Sequence, residues 1–500
     1  MSTYLYIILA YLLVLTGFNF FRSKQVKDQE DFMVAGRRLK TSVMIFTLIC
    51  TWIGSGTFIA GAEMATKAGF SALWLAAGAW AGIIIIYFLA AKIQMFGQYT
   101  IGDILEVRYG PVTRVVGAVA LIISFTVIVS YQFVAGGFIL NVATDGAIPD
   151  STGTIIAAAF VILFTALGGM MAIAYTDLPN GIIIVLACIT AVPFVYLAAG
   201  GLSQATQNLG PEYFSVVNSQ FGANPLLKVG SYFLATMLLL LGVQSMYQKF
   251  YSAKTAKDAK KAVFLWTIGT VFVETVVVII AVFAYSKLKD QIDLTIPKEG
   301  GKVVLLAAKE LVPWPVGVLL LGAACAVVIS TGMNYLLSPT TNIMRDIIQR
   351  FRKKEINQKS AVALQKMLVV ILGVVAFFLA LRMTSVLNQA YFAYTIYGVA
   401  ITPALIAALA WKRATKAGGL ASVISGTLAC ILLKILAEVL PPDKAPDGDP
   451  FGIPLIYPAF IISVGALIIG SLLSKKPDPK ELEKFFPEKK KKIPKVKDSK

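Results

Sequence analysis

The sequence predicts an all-α polytopic membrane protein, on three observations: its composition, the spacing of its apolar runs, and the sign of the charge between them. Apolar residues fill 57% of 500 positions and charged residues only 14%, with a mean hydropathy of +0.76; soluble domains carry about a quarter charged residues. A soluble fold of this composition would not stay dissolved. The chain holds 45 basic and 27 acidic residues. In a soluble chain that excess would suggest nucleic acid, but loop Lys and Arg set membrane orientation, so no nucleic-acid partner is needed.

Windows of about 19 residues place about thirteen apolar spans, each able to cross about 30 Å of hydrocarbon as a helix. They lie near 4–21, 41–64, 70–93, 115–142, 153–175, 178–199, 228–248, 262–285, 313–342, 366–382, 386–411, 418–440 and 454–474. The first has no basic leader or small-residue cleavage site and is expected to remain as a helix. Basic residues gather in alternate loops: Arg22 to Lys40, Lys249 to Lys261, Arg345 to Lys359, and Lys412 to Lys416. The intervening loops, at Asp145 to Asp150, 287–312 and Glu438 to Asp449, are neutral, mixed or acidic. This alternation puts the N-terminus outside and the Lys-rich tail from Lys475 in the cytoplasm, near anionic lipid. Glu63 with Lys67, and Lys434 with Glu438, read as snorkelling pairs at helix ends.

The four cysteines, Cys50, Cys188, Cys325 and Cys430, sit in apolar stretches, so packing is expected of them rather than disulfides or zinc. The chain has no histidine, which removes the commonest general base and metal ligand. With no nucleotide loop, metal-ligand cluster or sizeable soluble domain, a membrane enzyme is excluded. Two spans are interrupted by small or polar residues, Cys50-Thr-Trp-Ile-Gly-Ser-Gly56 and Leu241-Gly-Val-Gln-Ser245. Such a pair, opening runs of matching length, points to an inverted-repeat transporter with broken helices at mid-membrane; close helix packing is the other use of such glycines.

Four stretches resemble the sodium/solute symporter family. They are Asp31-Phe-Met-Val-Ala-Gly-Arg37, Thr100-Ile-Gly-Asp-Ile-Leu-Glu-Val-Arg-Tyr-Gly110, Gly168-Gly-Met-Met-Ala-Ile-Ala-Tyr-Thr-Asp177, and Ser330-Thr331 followed by Asn342-Ile-Met-Arg-Asp346. The resemblance implies a five-plus-five inverted-repeat, leucine-transporter-like core. Residues 1–40 would form an extra helix and cytoplasmic loop, 41–199 the first repeat, 200–227 an extracellular loop and 228–411 the second repeat. Residues 412–474 would supply two C-terminal helices and 475–500 the tail. It also implies the plasma (inner) membrane, a small-molecule substrate, and no obligate protein partner.

The same resemblance implies a sodium ion held by the carbonyls of Cys50, Ile53 and Val327 and the hydroxyls of Ser330 and Thr331. A hard cation takes oxygen ligands, and an interrupted helix frees carbonyls to supply them; hydroxyls bonding back to the preceding turn are the alternative for Ser330 and Thr331. Asp177 matches an acid on the sodium path, and it also suits an N-cap for a helix from Leu178. Glu274 stands among apolar neighbours in mid-span, where an ionisable group marks function, either facing a cavity or pairing with another helix.

For the solute, the candidate residues are Trp52, Ser55, Gly56, Thr57, Tyr131, Gln244 and Glu274. The positions that match sugar-binding residues, Thr57, Thr236 and Leu239, argue against a sugar. The phrase Phe46 to Gly56 resembles the choline-transporter branch, with Trp52 and Tyr131 as cage aromatics, though Ala81 and Val243 depart from that cage. An organic cation or betaine, an amino acid and a monocarboxylate all remain. The expected function is sodium-coupled import of such a solute by alternating access; a proton-coupled transporter, or a channel or sensor built on the same core, is the alternative.

Overall fold

The computed structural model describes residues 3–24, 26–97, 99–296, 298–352 and 356–486. The end of the expected Lys-rich tail, 487–500, and Lys353 and Lys354 of the third basic loop lie outside the described residues. The chain begins α1 (Thr3–Ser23), α2 (Gln29–Val34), α3 (Thr41–Trp52), α4 (Ala62–Ala68), α5 (Leu73–Phe96), α6 (Ile101–Tyr109) and α7 (Pro111–Ala143). It continues with α8 (Asp150–Ala198), α9 (Gly201–Leu209), α10 (Pro225–Gly242), α11 (Gln244–Ser252), α12 (Ala256–Leu288), α13 (Val303–Glu310) and α14 (Trp314–Asn342). It ends with α15 (Gln349–Phe351), α16 (Gln358–Ala380), α17 (Val386–Ala400), α18 (Thr402–Ala410), α19 (Lys416–Val439), α20 (Ile456–Leu473) and α21 (Pro479–Glu483).

Short polar side chains start many of these helices by accepting an otherwise unpaired amide. Thr100 and Asp103 form a reciprocal capping box on α6, and Thr255, Asn357, Ser385 and Thr415 cap α12, α16, α17 and α19. Among the described residues 11 helices are long and apolar enough to cross a membrane, against about thirteen expected spans. The difference lies in two continuous runs. Asp150–Ala198 covers 49 residues, which as one straight helix would reach about 74 Å. It contains Gly169 at φ 57°, ψ −169°, a conformation no helix interior accommodates. Gly56–Phe96 likewise runs for 41 residues, while Thr41–Trp52, at 12, falls short of a span on its own.

α14 and the α17–α18 segment are buried over most of their length, whereas only 22%, 28% and 28% of the spans of α1, α19 and α20 are buried. Side chains such as Leu13, Val439 and Leu473 are 72%, 76% and 85% exposed, so the outer helices offer their apolar faces to lipid. α14 packs against α8, α7 and α3, and α10 against α5 and α17; the two interrupted helices therefore meet the most enclosed part of the bundle.

Glu63 departs from the expected snorkelling pair. It is fully buried, and besides Lys67 (2.9 Å) its carboxylate accepts from the Ser385 hydroxyl at 2.7 Å and the Leu387 amide at 3.1 Å. Glu63 thus satisfies amide and hydroxyl donors at the start of α17 from across the bundle. Glu63→Ala is expected to lower stability by about 1–3 kcal/mol, since it leaves those buried donors unpaired; the midpoint of thermal unfolding in detergent, followed by size-exclusion fluorescence, measures this.

Candidate functional site

α3 stops at Trp52 because Ile53 leaves helical geometry, with ψ 92°. A helix that stops leaves its last carbonyls without amide partners, and here α14 meets them. The Thr331 hydroxyl donates to the Cys50 carbonyl at 2.9 Å and stands 3.3 Å from that of Ile53, while the Ser330 hydroxyl reaches the Cys50 carbonyl at 3.3 Å. Gly54 permits this approach: a Cβ there would lie 2.7 Å from Thr331 Cγ2. Val327 is fully buried one turn before Thr331, on the same face of α14. Two carbonyl and two hydroxyl oxygens therefore converge between α3 and α14, a neutral donor set that fits a hard monovalent cation once the hydroxyls turn their lone pairs inward.

Asp177 is fully buried beside these oxygens, and it lies inside α8 rather than at a helix start, which removes the N-cap reading. Its carboxylate accepts from the Ser330 hydroxyl, from the Thr47 hydroxyl at 2.5 Å and from the Asn334 amide at 3.3 Å. The Cys50 thiol donates to the Asp177 carbonyl at 3.3 Å. Thr47 and Asn334 escaped sequence reading, although Asn334 stands one turn after Ser330 and Thr47 three residues before Cys50, spacings that put each on the same helix face as a site residue.

Trp52, Gly56 and Thr57 flank the same break and line a narrow cavity with Gly61, Leu75, Thr236, Glu274 and Tyr394. Glu274 is 4% exposed. Its carboxylate accepts from the indole N–H of Trp52 at 2.8 Å, the indole N–H of Trp80 at 2.7 Å and the Thr57 hydroxyl at 3.4 Å. It therefore both faces the cavity and ties α12 to α3 and α5. Tyr131 stands behind the cavity wall, its hydroxyl donating to that of Tyr394 at 3.2 Å. Gly56 is required by this wall, because a Cβ there would lie 2.3 Å from the Tyr394 hydroxyl oxygen.

Two candidates lie elsewhere. The Ser55 amide donates to the Gln132 side chain at 3.2 Å, away from the cavity lining. Gln244 opens α11 after a break at Val243, where ψ is 118°, so the second interruption is also present. Its side chain accepts from the Ile101 amide at 2.6 Å and donates to the Tyr99 carbonyl at 3.2 Å, joining α11 to the start of α6. Tyr394, which lines the cavity, and Trp80, which holds Glu274 from α5, are the residues that sequence reading missed, and nothing in their local pattern separates them from packing aromatics.

The family model described as "Sodium:solute symporter family" matches residues 32–426. The osmoregulated proline transporter OpuE of Bacillus subtilis is 26% identical over 93% of this chain and 94% of its own. The sodium/proline symporter of Escherichia coli is 25% identical over 95% and 93%. Among solved structures, a Na+-coupled sialic acid symporter in a substrate-bound outward-open state superposes with a TM-score of 0.75 at 14% identity, covering 95% of this chain and 98% of that one. MhsT in complex with L-phenylalanine superposes with a TM-score of 0.54 at 15% identity, covering 86% and 97%.

Proposed function

This chain belongs to the sodium:solute symporter family, a multi-pass membrane transporter with sodium as its coupling ion, and on that premise we propose that it imports proline. The observation that carries the reading is the convergence of the freed Cys50 and Ile53 carbonyls with the Ser330 and Thr331 hydroxyls, next to a small cavity built on the same helix break. Sodium would bind there, with Val327 as a fifth oxygen donor and Asp177 on its path. Several relatives are named for proline, and the chemistry of the cavity lining suits it. The rings of Trp52 and Tyr394 offer apolar faces to a pyrrolidine ring, Glu274 opposes its secondary ammonium, and the positive start of the Gly56–Ala68 segment faces its carboxylate.

The architecture within this reading is a five-plus-five inverted repeat. Gly169 divides Asp150–Ala198 into two spans and the Ile53–Ser55 break joins α3 to α4 as one, giving thirteen spans with the N-terminus outside and the C-terminus in the cytoplasm. A cysteine placed at Asp447 should react with an impermeant reagent from outside, and one at Arg350 should not; the reverse pattern would contradict the orientation.

Purified protein titrated with proline, glycine betaine or glucose, in sodium and again in potassium, tests the substrate through tryptophan fluorescence. A saturable response to proline in sodium alone is the expected result, and silence toward proline in both salts would contradict it. Glu274→Gln keeps the size of the side chain and removes its charge. Proline uptake is expected to fall about tenfold or more, with the amount of folded protein near that of the parent.

A further inference from the structure

The basic run that begins at Lys249 reads as a cytoplasmic loop, yet Lys249 itself is fully buried within α11. Its ammonium donates to the Asn334 side-chain carbonyl at 2.6 Å and stands 3.4 Å from the Ser245 carbonyl. Among the described residues it forms no direct ion pair. Asn334 turns its amide the other way, to the Asp177 carboxylate at 3.3 Å and the Ser330 carbonyl at 2.9 Å. One ammonium and one carboxylate therefore share a buried network with a single amide between them, and that network adjoins the oxygens of Ser330.

We propose that Lys249 is the internal counter-ion of Asp177, and that its charge, relayed through Asn334, sets how tightly the neighbouring oxygen site holds sodium. The proposal rests on the sodium-site reading given above. A buried carboxylate needs a compensating charge. Without sodium, Lys249 supplies it; with sodium at the neutral oxygens, two cations address one carboxylate. Each weakens the hold of the other in a low-dielectric surrounding, so a fixed lysine keeps sodium loosely bound and eases its release. Lys249 touches neither sodium nor solute; it is a positioning residue acting through electrostatics.

The test compares Lys249→Met with the parent, in sodium-dependent proline uptake and in sodium-dependent thermal stabilisation of purified protein. Removal of the ammonium is expected to lower the sodium concentration for half-maximal stabilisation by about five- to tenfold and to slow maximal uptake, while Lys249→Arg stays near the parent value. Should Lys249→Met fold poorly, the neutral network decides the matter. Asp177→Asn alone is expected to weaken sodium binding, and adding Lys249→Met is expected to bring it back toward the parent. An unchanged or raised sodium requirement in Lys249→Met, or a double variant no different from Asp177→Asn, overturns the proposal. Ser330→Ala in the same assays separates the two failures: if it leaves sodium dependence intact, the site reading fails, and if it weakens sodium while Lys249→Met does nothing, only the role of Lys249 fails.

Discussion

Ser330→Ala and Thr331→Ala are each expected to raise the sodium concentration needed for half-maximal uptake by about tenfold or more, the effect of losing one oxygen donor of the proposed site, worth about 1–3 kcal/mol. Each hydroxyl reaches a carbonyl freed by the end of α3, Ser330 that of Cys50, and Thr331 those of Cys50 and Ile53. An alanine removes the donor and leaves the carbonyls in place, so the protein should remain folded in the membrane. On the proposed site, sodium bound there would join α3 to α14, and it would favour the state in which it binds better only by that difference in affinity. By linkage, the apparent affinity for solute falls mainly at low sodium and recovers in part at high sodium. Uptake measured against sodium at several solute concentrations checks both statements, and curves that overlay the parent would contradict them.

Arg114→Met is expected to cost about 3–5 kcal/mol and to remove most folded protein. The Arg114 guanidinium lies 2.7 Å from Asp103, 2.5 Å from Glu106 and 2.7 Å from Asp346, and it is almost wholly buried. Asp346 also accepts from the Thr100 hydroxyl at 2.8 Å and the Asn342 amide at 2.7 Å. One guanidinium thus joins α6, α7 and the segment following α14. Without it three carboxylates face one another, and Arg350, 2.9 Å from Glu106 at the edge of the cluster, is the ion-pair partner that remains among the described residues. The amount of monodisperse protein after detergent extraction reads this effect, and Arg114→Lys, which cannot reproduce the planar fork, should recover only part of it.

Apolar length made the membrane-length helices legible, though the structure has 11 among the described residues where about thirteen were expected, because Asp150–Ala198 and Gly56–Phe96 each run on. Both helix interruptions were legible too, since Gly54 and Gly242 mark places where a threonine side chain of another helix, Thr331 and Thr402, packs against the backbone. Pairing across the bundle was not legible in the same way. Glu63 next to Lys67 has the local pattern of an exposed pair, and only the fold brings Ser385 and Leu387 onto its carboxylate. Lys249 opens a basic run in the sequence, and its burial within α11 depends on where that helix starts after Val243. Asp177 precedes a leucine and a proline that suggest a helix boundary, but the turn falls earlier, at Gly169, where the backbone takes φ 57°. Gln244 has the polarity of a ligand, and its partners come from a helix more than a hundred residues away.

Sodium-driven accumulation of proline is the central claim, and uptake into proteoliposomes loaded with potassium tests it most directly. Purified protein is reconstituted, radiolabelled proline is added outside, and the outer salt is either sodium or potassium, with and without a pH gradient. An inward sodium gradient should give transient accumulation above the equilibrium level; potassium outside, or a pH gradient alone, should give none. Accumulation driven by the pH gradient without sodium, or equilibration that never overshoots under a sodium gradient, would contradict the account.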